Sequence, residues 1–209
     1  MTVFVSTGTL PDPTLVEARV AAAWEAARRI DHGEVSTVYP QLAAARPDAF
    51  GVTVTGVGGT SWNAGDVDER FTTMSVAKPF VLALVCEARG VDRTRDEVGV
   101  NATGLPFNSL DAVPAGPQGR TNPMVNPGAI ATTSRVPGDD PGEQWRFLLD
   151  GLSAFAGRDL TLDEAMYRSA SETNHRNREL AAQLHERGAL ATDPASAVDL
   201  YTRQSSIGI

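Results

Sequence analysis

Of the 18 lysine and arginine residues in this 209-residue chain, 17 are arginine and one is lysine. That lysine, Lys78, stands three residues after Ser75 in the stretch "FTTMSVAKPFVLALV". Residues three apart on a helix share a face, so the spacing predicts a hydroxyl and an amine within hydrogen-bond reach. A serine hydroxyl is a weak nucleophile until a base takes its proton. Lysine serves as that base once burial lowers its pKa, and the apolar run Pro79 to Leu82 offers such a setting. Arginine stays protonated and cannot. A Ser75 near a helix N-terminus would also bring backbone N–H groups close to a developing oxyanion. The spacing S-x-x-K alone arises by chance about once in a chain of this length. A helix-capping serine beside a lysine that snorkels to the surface stays open as the alternative.

Other chemistries find less support. The formal net charge is -8 and no basic cluster is interleaved with aromatics, which argues against a nucleic-acid partner. No stretch approaches the ~20 apolar residues of a membrane span. The three histidines, His32, His175 and His185, lack metal-ligand spacing, so no metal is expected. The only cysteine, Cys86, lies in an apolar run and suits a reducing cytoplasm as an inert buried thiol. The opening "MTVFVSTGTLPDP" lacks the basic and apolar regions of a signal peptide.

The elements that must position Ser75 and Lys78 follow from periodicity. Hydrophobic residues make up 42% of the chain and charged residues 21%, enough for a sizeable core in one domain. Asp12-Pro13 opens a helix that Gly33 stops. A short apolar segment holds Val38, Tyr39 and Leu42. Val52 to Ala64 reads as an antiparallel hairpin turning at Gly58-Gly59. A helix from about Ser75 to Arg89 ends at Gly90. Residues 99–142 are rich in Gly, Pro, Asn and Ser, and little regular structure is expected there; such a long stretch inside a compact domain is often functional. Helices resume over Gln144 to Phe155, from a Thr161 cap through Met166, over Glu179 to Arg187, and from Asp193-Pro194 through Tyr201.

Five motifs in order, "GDVDERFTTMSVAKPF", "VGVNATGLPFNS", "NPMVNPGAI", "SETNHRN" and "VDLYTRQSS", resemble the serine-dependent glutaminases, from about Gly33 to the last residue. The resemblance implies an α/β (α+β) fold like that of the β-lactamases and transpeptidases: a helical cluster packed on an antiparallel sheet. It implies hydrolysis of L-glutamine to L-glutamate and ammonia without a cofactor, in a cytoplasmic homo-oligomer. Ser75 matches the acylated nucleophile and Lys78 its proton acceptor. Asn126, Asn177 and Tyr201 match substrate-binding residues. Taken singly, Asn126 before Pro-Gly reads as a turn residue, Asn177 as a helix cap and Tyr201 as packing.

Departures accompany the match. Met74 stands where the family usually has glutamine. Ala170 stands where a glutamate would meet the substrate's ammonium, with Glu172 two positions late. A family tyrosine in a Y-x-P pattern falls at Val38, with Tyr39 one position off, and Ser205 replaces a usual cysteine. Family domains continue beyond Ile209, so residues 1–209 are expected to form a single, C-terminally truncated domain with an incomplete sheet and one clear hairpin. Two alternatives stay open: a degenerate relative without activity, and a related serine amidohydrolase or β-lactam-binding protein.

Overall fold

The computed structural model describes residues 11–209, which fall into two compact units. The leading residues read as free of a signal peptide lie largely outside the described part. No described helix is long and apolar enough to cross a membrane.

The smaller unit contains α1 (Pro13–Ala27) and the hairpin β1 (Gly51–Thr55) and β2 (Ser61–Gly65). Asp12 caps α1 by accepting the Thr14 N–H at 2.9 Å, as its position before Pro13 predicts. The helix ends at Ala27, short of Gly33, and Ile30 beyond it is 67% exposed, so a longer helix would bury nothing. The hairpin pairs antiparallel with Val52 opposite Ala64 and Val54 opposite Trp62. Gly65 has φ +78°, and a Cβ there would meet the Trp24 Nε1 at 2.1 Å, where that indole donates to the Phe50 carbonyl. This close crossing fixes α1 against the hairpin.

The larger unit is mostly helical. Its helices are α2 (Ala77–Arg89), α3 (Val91–Val98), α4 (Ala112–Ala115), α5 (Asn126–Thr133), α6 (Pro141–Ala156), α7 (Glu164–Thr173), α8 (His175–Glu186) and α9 (Pro194–Ser205). Two short strands, β3 (Thr161–Leu162) and β4 (Ile207–Gly208), pair antiparallel. Gly208 also bridges to Thr72, which brings the segment before Ser75 alongside the chain's last strand. The unit therefore holds strand pairing beyond the one expected hairpin. Asp140, Asp163 and Asp193 cap α6, α7 and α9 through their side chains; Thr161 lies in β3 and caps nothing.

The largest departure from expectation is α5, inside the stretch expected to hold little regular structure. Every residue of "NPGAIATT" is buried, and the helix packs against α2, α8 and α9. A helix buried on all sides shows no amphipathic period, so periodicity is blind to it. Its small residues permit the close approach: a Cβ on Gly128 would sit 1.9 Å from the Asn122 carbonyl oxygen. Around α5, Val113, Ile130, Leu180, Leu184 and Tyr201 form one core cluster; Val81, Val85, Leu148, Leu200 and Ile207 form a second against α2 and α6.

Candidate functional site

Ser75 does not lie on α2. It occupies a 3-10 turn, Met74–Val76, immediately before that helix, and its side chain is exposed. Lys78 lies in the first turn of α2 on the inward face, in line with the buried Val81 and Val85. A lysine on such a face must leave water, and Lys78 is 4% exposed. No hydrogen bond joins Ser75 to Lys78.

The lysine amine is spoken for elsewhere. Lys78 Nζ donates to Asn126 Oδ1 at 2.8 Å and to the Met124 carbonyl at 3.2 Å. The Phe107 ring lies over it, with Nζ 5.8 Å from the ring centroid. Among the described residues no carboxylate pairs with it. Burial without a counter-charge lowers its pKa from 10.5 to about 8.

Asn126 opens α5 just before Pro127, which fits the first helical turn. Its backbone N–H donates to the Phe107 carbonyl at 2.7 Å. Its side chain is the hub of the cluster. Oδ1 accepts from Lys78 and from the Tyr201 hydroxyl at 3.2 Å, while Nδ2 donates to Asn177 Oδ1 at 3.0 Å. Two donors on one side and an acceptor on the other fix which way the amide faces. Asn177 lies inside α8 rather than capping it, and Tyr201 lies on α9; both are buried. Burial, then the neighbouring Tyr39, push the Tyr201 hydroxyl far up, so it is a neutral phenol at ordinary pH.

The fold thus joins Lys78, Asn126, Asn177 and Tyr201, drawn from four helices, in one hydrogen-bonded string. Ser75 stands at its edge. Residues not singled out from sequence complete the surroundings. Met124 contributes a backbone oxygen, which no side-chain pattern announces. Phe107, an apolar residue of an irregular stretch that offers burial by its type alone, is instead 58% exposed. Tyr39 is half-buried beside Tyr201, whereas Val38 is 70% exposed. Ala170 is buried on α7, and Glu172 is exposed.

Chemically, the string can hold a neutral amine. An –NH₂ group that donates both hydrogens to Asn126 Oδ1 and the Met124 carbonyl keeps its lone pair for a proton acceptor's role. The two asparagines and the tyrosine offer fixed polar groups of both signs to a small polar ligand.

Residues 33–209 match the model of the family described as Glutaminase. The chain is 53% identical over 206 residues to Glutaminase 2 of Yersinia pestis, covering 99% of this chain and 61% of that protein. It is 42% identical over 174 residues to a glutaminase of Brucella canis, covering 83% of this chain and 55% of the relative. The solved structure of the probable glutaminase ybaS superposes with a TM-score of 0.92 at 32% identity, over 95% of this chain and 64% of that one. A Bacillus subtilis probable glutaminase gives 0.83 at 28% identity, over 93% and 60%. The chain spans about three fifths of the length of these relatives.

Proposed function

The chain belongs to the glutaminase family, with its β-lactamase-like fold, and from that premise we propose that it hydrolyses the side-chain amide of L-glutamine through a Ser75 acyl-enzyme. The observation that carries this reading is the Lys78 amine, buried without a carboxylate, donating to two neutral oxygens three residues from Ser75. Substrate binding brings the Ser75 hydroxyl to the amine's lone pair; catalytic hydrogen bonds commonly tighten in the Michaelis complex.

Lys78 Nζ takes the Oγ proton as Oγ bonds to the amide carbon, giving a tetrahedral intermediate. The C–N bond then breaks, and the leaving nitrogen takes the proton from Lys78 and departs as ammonia. Water attacks the resulting ester, gives a proton to Lys78, and the C–Oγ bond breaks. The proton returns to Ser75, and L-glutamate leaves. Asn126, Asn177 and Tyr201 hold the substrate's polar ends. No cofactor enters the cycle. The same reading makes the protein a cytoplasmic homo-oligomer, which sedimentation of the purified chain checks.

Ammonia release from L-glutamine tests the reading. The wild-type chain is expected to turn over, Ser75→Ala to stay at background, and Lys78→Arg to lose about 10²–10⁴-fold. Turnover by Ser75→Ala at the wild-type rate overturns it. Ala170 favours a second reading, a degenerate relative without glutaminase activity, because a substrate ammonium there would meet no carboxylate and glutamine would bind weakly. Wild-type ammonia release no higher than that of Ser75→Ala decides for that second reading.

A further inference from the structure

The turn that carries Ser75 holds a backbone conformation that its own residues disfavour. Met74 has φ +45°, in the left-handed region that long side chains rarely adopt. Such a conformation persists only where surrounding contacts over-determine it. The Met74 carbonyl accepts the Ala77 N–H and Phe71 pairs with Ile209, but the tie to α9 nearest Met74 falls on Thr73, which is itself buried.

Thr73 is held at three atoms. Its N–H donates to the Ile207 carbonyl at 2.8 Å, which ties it to β4. Its hydroxyl donates to the Gln204 carbonyl at 2.6 Å. Its own carbonyl accepts the Val76 N–H at 2.9 Å, closing the turn around Ser75. The Gln204 carbonyl lies in the last turn of α9, where helix carbonyls lose their intrahelical partners. The Thr73 hydroxyl satisfies it. Gln204 is in turn locked: it is 1% exposed, and its side-chain Oε1 accepts from Thr133 Oγ1, at the end of α5, at 3.0 Å. A chain of contacts therefore runs from α5 through Gln204 and Thr73 to Met74. The helix that presents Asn126 and the turn that presents Ser75 share one anchor.

We propose that Thr73 is a positioning residue: its hydroxyl, bonded to the α9 terminus, holds Met74 in the left-handed conformation that aims Ser75 at the Lys78–Asn126 string. This deepens the reading of Ser75 as nucleophile and rests on it. Valine matches the shape of threonine without the donor, and serine keeps the donor.

The test measures, on the full chain, phosphonylation of Ser75 by a fluorophosphonate, with loss of fluoride (followed by intact mass), and ammonia release from glutamine. Thr73→Val is expected to slow both by about 10–100-fold, the scale of a small misplacement of a reacting group. KM and the pH midpoint of the rate stay put, because the string around Lys78 is untouched. Thr73→Ser is expected to stay within about threefold of wild type. Thr73→Ala, which introduces no new atoms, should reproduce the Thr73→Val loss and serves if the valine variant does not fold. Wild-type rates in a folded Thr73→Val or Thr73→Ala, or a Thr73→Ser as slow as Thr73→Val, overturn the proposal. A crystal structure of the valine or alanine variant supplies a readout independent of the chemistry. Met74 is expected to relax to negative φ, and a retained positive φ overturns the clamp even if Ser75→Ala shows that the nucleophile lies elsewhere.

Discussion

Lys78 and Arg135 are both cations held almost out of water, 4% and 6% exposed, yet the protein treats them in opposite ways. Arg135 Nε donates to Glu97 at 2.7 Å, and its Nη1 donates to the Ala131 and Ala189 carbonyls. Glu97 also accepts from Arg93 at 2.8 Å. The Arg93 hydrogen bond, then that from Arg135, hold its carboxyl at about 2. Lys78 has comparable burial, a comparable supply of carbonyl oxygens, and no carboxylate. The difference separates structure from chemistry. A guanidinium holds its charge and, once paired, pins α3, α5 and the segment at Ala189 together. An ammonium deprived of a counter-charge is driven toward the neutral amine that a proton transfer needs.

The comparison can be broken first at its structural end. Arg135→Met leaves Glu97 short of one partner and the Ala131 and Ala189 carbonyls without that donor; unfolding by urea is expected to show a loss of about 1–3 kcal/mol. Fluorophosphonate labelling per folded molecule should be unchanged. Lost labelling in a folded variant would mean that the two cations are not separate in role.

A smaller effect comes from making the Lys78 site resemble the Arg135 site. Asn126→Asp supplies the missing carboxylate and favours the charged amine, raising its pKa by about 1–3 units. The midpoint of the rate–pH profile should climb from about 8 by that amount, with at least a tenfold loss at pH 7, roughly one pKa unit's worth. A midpoint that stays put would break the link between the absent carboxylate and the neutral amine.

The smallest effect is on stability against pH. Below about 8 both folded and unfolded chains carry a charged Lys78, and the fold bears the whole cost of burying it. Between about 8 and 10.5 the folded chain has released the proton while the unfolded chain keeps it, so stability rises with pH; above 10.5 the cost is gone. Lys78→Met is therefore expected to stabilise the fold at pH 7 by roughly 1–2 kcal/mol, the range typical of relieving a site kept for function. That gain should shrink across this window. Glu97 gives the opposite limb: its contribution is full above about 4.5 and fades as pH falls toward about 2. Glu97→Gln should flatten the acid limb alone. Denaturation midpoints across pH check both signs.

Much of the site was legible because its chemistry forces particular side chains. A solitary lysine among arginines, three residues after a serine, marks a place where charge must be surrendered, and the asparagine and tyrosine motifs follow in order. What escaped is of a different kind. The Met124 oxygen and the Gln204 carbonyl belong to the backbone, which every residue possesses, so composition cannot single them out. Helix α5 escaped because burial on every side erases the polar stripe that reveals a helix. Its Gly and Pro, which favour loops elsewhere, here open a helix and allow close packing. The Ser75 turn was read as the start of α2 because S-x-x-K fits a helical face; the left-handed Met74 that breaks it depends on Thr73 contacts more than a hundred residues away. The hairpin and the helix starts at Asp12 and Asp193 were predictable for the converse reason: their causes are local.

The complete enclosure of α5 has a kinetic consequence. Segments that open by local fraying exchange their amide hydrogens at little cost, whereas an enclosed helix exchanges when its whole surroundings unfold. The amides of Ala129 to Thr133 should then rank among the slowest in the chain. Asn126, tethered to that helix, would be withdrawn from Lys78 in rare, all-or-none events rather than by a gradual loosening, and the amine would keep its partner for as long as the surrounding unit stays folded.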